Sequence, residues 1–147
     1  MRRSGTRRNR RPRAELAAGN GLDALVSLAQ GIFYLVTGVW PLVSIRTFEM
    51  VTGPKTDRWL VKTAGVLITA VGAALTLAGA RRAVTRETRV LAVGSALGLT
   101  GIDVVYVRRG RISKVYLLDA IAELILVGGW LLAWLRGRER YSAEQND

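Results

Sequence analysis

Long apolar runs separated by short charged clusters set the pattern of this chain. Four of them, at residues 22–45, 59–80, 90–107 and 115–135, approach or exceed the ~20 residues a helix needs to cross a hydrocarbon core of ~30 Å. A helix on the surface of a water-soluble domain would show an apolar stripe opposite a charged face. These runs are apolar nearly all round, so the pattern predicts four spanning helices. Short connections make consecutive helices antiparallel neighbours. The predicted fold class is therefore all-α, an antiparallel four-helix transmembrane bundle over residues 19–136, between a basic tail (1–18) and a polar tail (137–147). The first run is too long for a cleaved signal peptide and is expected to be retained.

Small residues recur along the spans: Gly31 and Gly38 on the first, Gly65, Gly72 and Gly79 on the second, Gly94 and Gly98 on the third. Lipid gives no hydrophobic drive for helix association, so close backbone approach at such positions supplies much of it. Two uses are open, packing within the bundle or a face for a second copy, and packing is the plainer account.

Charge then sets orientation. The net charge is +11, and seven arginines fall in "MRRSGTRRNRRPR". With both termini on the cytosolic side, that tail is joined there by Arg81, Arg82, Arg86, Arg89, Arg136, Arg138 and Arg140. The opposite side holds Arg46, Lys55, Arg58, Lys62, Arg108, Arg109, Arg111 and Lys114, so the excess favours cytosolic termini. The tail is expected to meet anionic lipid headgroups. No aromatic residues interleave with its arginines, so it lacks a stacking platform for nucleic acid, which is not an expected partner.

Cysteine and histidine are both absent. Their absence excludes thiol redox chemistry, Ser-His and Cys-His nucleophile pairs and conventional zinc sites. No phosphate-binding or dinucleotide fingerprint appears, and neither a cofactor nor a metal is expected.

The ionisable groups within the spans are the candidate site. An acid facing lipid at a helix centre costs ~2.5–3.5 kcal/mol, so such groups must face protein, water or the interface. Asp119 lies five residues after Lys114, and Asp103 five before Arg108, which puts both ~7–8 Å inside the same turn. Lys62 enters from that side, and Glu123 is one turn deeper than Asp119. The predicted polar cluster is Lys62, Asp103, Asp119 and Glu123, flanked by Tyr106 and Tyr116. A second polar set, Asp23, Gln30, Tyr34 and Thr37, falls near one face of the first span. It either continues the polar interior or marks an interfacial end with ordinary interhelical hydrogen bonds.

The most distinctive connection is "RTFEMVTGPKTDRWLV". Gly53-Pro54 forces a turn, Thr56 or Asp57 can cap the next helix, and Trp59 marks the interface. Glu49, Pro54, Lys55, Asp57, Arg58 and Trp59 make a candidate lid over the acids, or simply a turn and a cap. Together "WPLVSIRTFEMVTGPKTDRWLV" and "GIDVVYVRRGRISKVYLLDAIAEL" resemble a group of small bacterial four-span membrane proteins, whose plan is similar to that of DoxX-like membrane proteins. The resemblance covers about Gly31 to Leu124. It implies a bacterial inner-membrane location and transfers no catalytic residue. A redox-partner role of the DoxX type lacks the Cys or His it would need.

Two function classes follow. One is a non-catalytic binding or accessory protein, with a homodimer or another membrane protein as partner. The other is a small proton-coupled permease with Glu123 as the protonatable group. An enzyme ranks below both, since no nucleophile or metal site can be named.

Overall fold

The computed structural model describes residues 21–144, with side chains to 138; the basic tail lies outside the described residues. The described chain is all-helical: α1 (Gly21–Val43), α2 (Ile45–Thr52), α3 (Arg58–Ala80), α4 (Arg86–Arg108) and α5 (Tyr116–Glu144). α1, α3, α4 and the Tyr116–Arg138 part of α5 are long and apolar enough to cross a membrane. These four form the bundle, and the chain reads as a multi-pass membrane protein.

Two helices differ from expectation at their ends, and the connection holds a short helix of its own. α4 starts a turn earlier than its apolar run because Thr85 caps it, its hydroxyl accepting from the Thr88 N–H at 3.3 Å. α5 continues through its arginines to Glu144. The connection after α1 is more than a turn. Ser44 accepts from the Thr47 N–H at 3.4 Å and starts α2, which is closed by Gly53 at φ +87°, in the region glycine favours. Trp40 fastens α2 back onto α1, its indole N–H donating to Thr47 at 2.9 Å and its ring meeting Phe48 edge-on at 5.7 Å.

The bundle is assembled from two unequal pairs. α1 and α3 run antiparallel with their backbones in close contact along the whole interface. A Cβ at Gly38 would sit 2.9 Å from the Gly65 carbonyl oxygen, and one at Gly72 2.8 Å from the Leu35 amide nitrogen. One at Gly79 would lie 2.7 Å from the Ala24 oxygen, and one at Gly31 would run into the Thr76 backbone. These glycines are spent inside the bundle. Ser27 adds a hydrogen bond to the Leu75 carbonyl at 2.8 Å. α4 and α5 form the second pair, and α1 lies against α5 to join the two. Val26, Tyr34, Leu75, Val84, Ala92 and Trp130 make the buried cluster where the pairs meet.

Candidate functional site

Asp23, Ser27, Gln30 and Tyr34 recur every three or four residues along α1, so one face of that helix is polar, and all four are fully buried. Asp23, Gln30 and Tyr34 are aimed at α4 and α5, while Ser27 turns to the α3 backbone. Of the two readings open from sequence, the polar-interior one is what the structure shows, except at Thr37, whose hydroxyl bonds back to its own helix at Phe33 O.

The hydrogen bonds in the cleft run in one direction. Trp130 Nε1 donates to Gln30 Oε1 at 2.7 Å. Gln30 Nε2 donates to the Tyr34 hydroxyl at 3.1 Å and to the Ala92 carbonyl at 2.9 Å. Tyr34 donates in turn to Glu123 Oε2 at 3.0 Å. An indole N–H can only donate, so the Gln30 oxygen must face it and its two N–H groups must point onward. Ser95 Oγ lies 3.4 Å from the Tyr34 oxygen and is anchored to the Leu91 carbonyl at 2.7 Å. The chain of donors therefore ends on one carboxyl group, and such chains polarise cooperatively.

Toward the α2 end of the bundle lie the other acids. Asp103 is buried, Asp119 half-buried, and their carboxyls meet across the α4–α5 interface with Glu123 close enough to interact electrostatically. Glu123 Oε1 and Asp103 Oδ2 are buried and have no hydrogen-bond partner among the described residues. Toward the other end, Arg89 pairs with the buried Asp23 at 2.8 Å. Polar groups thus line the cleft from one end to the other: Asp119 and Asp103, Glu123, Tyr34, Gln30, then Asp23 with Arg89.

The expected cluster is brought together only in part. The three acids converge as anticipated, but Lys62 does not join them. It is exposed on the face of α3 that also carries exposed Trp59 and Val66. One turn from the helix start, its long stem lets the ammonium reach the interface without turning inward. Tyr106 is also exposed, with the Arg109 guanidinium 6.0 Å from its ring. Tyr116 is half-buried and lies under Lys55 Nζ at 4.8 Å. That contact ties the first connection to the start of α5.

The proposed lid residues form a braced hairpin. Arg58 makes a bidentate pair with Glu49, both bonds 2.8 Å, and Lys55 donates to the Thr52 carbonyl at 3.1 Å. Arg58's two donated bonds hold the Glu49 carboxyl below its ordinary value. Asp57 occupies the cap position of α3 but makes no side-chain cap bond, while Pro54 and Trp59 are exposed.

Sequence reasoning missed Trp130, Ser95 and Arg89 as groups that meet the polar face of α1. Ser27 was within reach, since it falls on the same helical stripe as Asp23 and Gln30. Trp130 was not, because a tryptophan in an apolar run gives no sign that its N–H is committed. Among the described residues, no group of three or more acidic, His or Cys side chains is disposed to hold a metal ion. Comparison with protein-family models, curated proteins and solved structures finds no match.

Proposed function

We propose that this chain is a multi-pass protein of the bacterial cytoplasmic membrane, with both termini cytosolic, acting as a non-catalytic binding or accessory protein whose acid-lined interior takes up a proton. One observation carries the reading: Glu123 is fully buried, receives the donor chain from α1 on one oxygen, and has no partner on the other among the described residues. The two described ion pairs, Arg58–Glu49 and Arg89–Asp23, lie elsewhere. A carboxylate buried without a counter-charge costs several kcal/mol in hydrocarbon, and a proton removes that cost. Glu123 is the protonatable group in this account, with Asp103 and Asp119 leading to it from the α2 end.

A second reading, a small proton-coupled permease using Glu123, is favoured by the run of polar groups along the whole cleft. One preparation tests both. In sealed vesicles with a trapped pH-sensitive dye, the accessory reading expects no gradient-driven flux, but proton uptake by wild type that Glu123→Gln lacks. Flux in wild type that is lost in a folded Glu123→Gln variant selects the permease. Identical proton uptake by wild type and variant contradicts both.

A further inference from the structure

A second feature lies on the outer side of the α4–α5 pair. A groove of about 550 Å³ with wholly apolar walls runs between the two helices, lined among others by Val93, Gly94, Val127, Leu131 and Trp134, and by the stem of Arg89. It extends ~7–8 Å along α4, from Gly94 to Arg89, and ~10 Å along α5, from Val127 to Trp134. Gly94 makes the trough: a Cβ built there meets nothing within 4 Å.

One end of the trough is strongly basic. Arg89 closes it: one amino group of its guanidinium is bonded to Asp23, Nε is buried without a hydrogen-bond partner among the described residues, and the rest of the group reaches the surface. The side chain is 39% exposed. Beside it Arg138 stacks on Trp134, 4.7 Å from the ring. Exposed Arg81, Arg82, Arg86 and Arg136 stand at the same end. An apolar trough that opens onto arginines matches a molecule with an apolar chain and an anionic head.

We propose that this groove is a binding site for one anionic phospholipid, with an acyl chain lying over Gly94 between α4 and α5 and the headgroup phosphate held by Arg89. The part of the guanidinium not bonded to Asp23 offers the phosphate a charge-assisted hydrogen bond, with the neighbouring arginines adding positive charge. The site rests on the membrane reading of the fold and is independent of Glu123. Because Trp130 also lines the groove, an occupying chain lies against the indole whose N–H begins the donor chain to Glu123.

The probe is dioleoyl phosphatidylglycerol, compared with dioleoyl phosphatidylcholine of identical chains and with glycerol 3-phosphate as the head alone. Native mass spectrometry of the detergent-purified full chain reads the lipid retained. Wild type is expected to keep one phosphatidylglycerol per chain and to retain the zwitterionic lipid about fivefold less, the effect of about one favourable charge contact. Glycerol 3-phosphate is expected not to compete. Gly94→Leu adds a side chain in the trough, where its Cβ meets nothing within 4 Å, and is expected to lower retention about tenfold through the methylenes it displaces. Leu131→Trp fills it from the other helix, so whichever variant melts like wild type decides the matter. Equal retention by wild type and a folded variant, or equal retention of the two lipids, overturns the proposal. So does a dimer that Gly94→Leu abolishes, which would make the groove a protein interface.

Discussion

Along α1 and α3, glycines face one another so closely that a methyl group at Gly31, Gly38, Gly65, Gly72 or Gly79 meets partner backbone. Along α4, Gly94, Gly98 and Gly101 face open space. The same residue, at similar spacing in the sequence, does opposite things in the two halves of one bundle. In the first pair, its small size lets two backbones approach and seals the interface. In the second, it leaves the outer face hollow while the inner face carries the acids. The difference teaches that a glycine stripe reports only that volume is missing. The neighbouring helix decides whether that volume is filled.

The sharpest way to break the comparison is to add volume to each half. Gly72→Leu places its Cβ 2.8 Å from the Leu35 amide nitrogen, where no side chain can give way. It is expected to destabilise by ~3 kcal/mol or to prevent folding, read by unfolding in mixed micelles, at or above the usual range for overpacking. Gly94→Leu is expected to stay within ~0.5 kcal/mol of wild type, as for a surface change away from special features. Equal costs would mean that the two pairs are packed alike.

Smaller effects are expected from the polar face. Gln30→Leu leaves the Trp130 indole N–H without its acceptor and cuts the Tyr34 hydroxyl off from its donor. The expected loss is ~1–3 kcal/mol, the range for stranding a buried polar group. Lys62→Gln, on the outward face, is expected to change stability by less than ~0.5 kcal/mol. A Lys62 effect as large as that of Gln30 would restore it to the interior.

The smallest effect belongs to the hairpin between the first two spans. Arg58 lowers the folded-state pKa of Glu49 below its ordinary 4.5. A lowered value means the ion pair's contribution is complete above about 4.5 and is lost as pH falls through the lower folded value. Amide exchange in residues 49–58 is therefore expected to be steady from neutral pH down to that range, once corrected for intrinsic rates, and to quicken below it. In Glu49→Gln the step should disappear.

Much of this arrangement was legible in the residues. Four apolar runs bounded by arginines fix four spanning helices, because hydrocarbon tolerates little else. The place of Asp103, Asp119 and Glu123 along their helices, toward the same end of the bundle, followed from counting residues back to the charged turn. Lys62 shows where such counting stops. Depth along a helix says nothing of rotation about it, and a lysine near a helix end is free to face outward because its stem reaches the interface. The short helix α2 was hidden for another reason. Its start depends on the Ser44 hydroxyl and its hold on α1 depends on Trp40, both of them local bonds within a segment that reads as a turn.

The claim on which the rest depends is that α1 and α5 meet through Tyr34 and Glu123 inside the bundle, and a double-mutant cycle tests it most directly. Tyr34→Phe, Glu123→Ala and the double variant, unfolded in mixed micelles, should show a coupling of ~0.6–1.7 kcal/mol, as for hydrogen bonds between membrane helices. Additivity within ~0.3 kcal/mol would mean the two side chains do not touch, and the polar interior described here would be wrong.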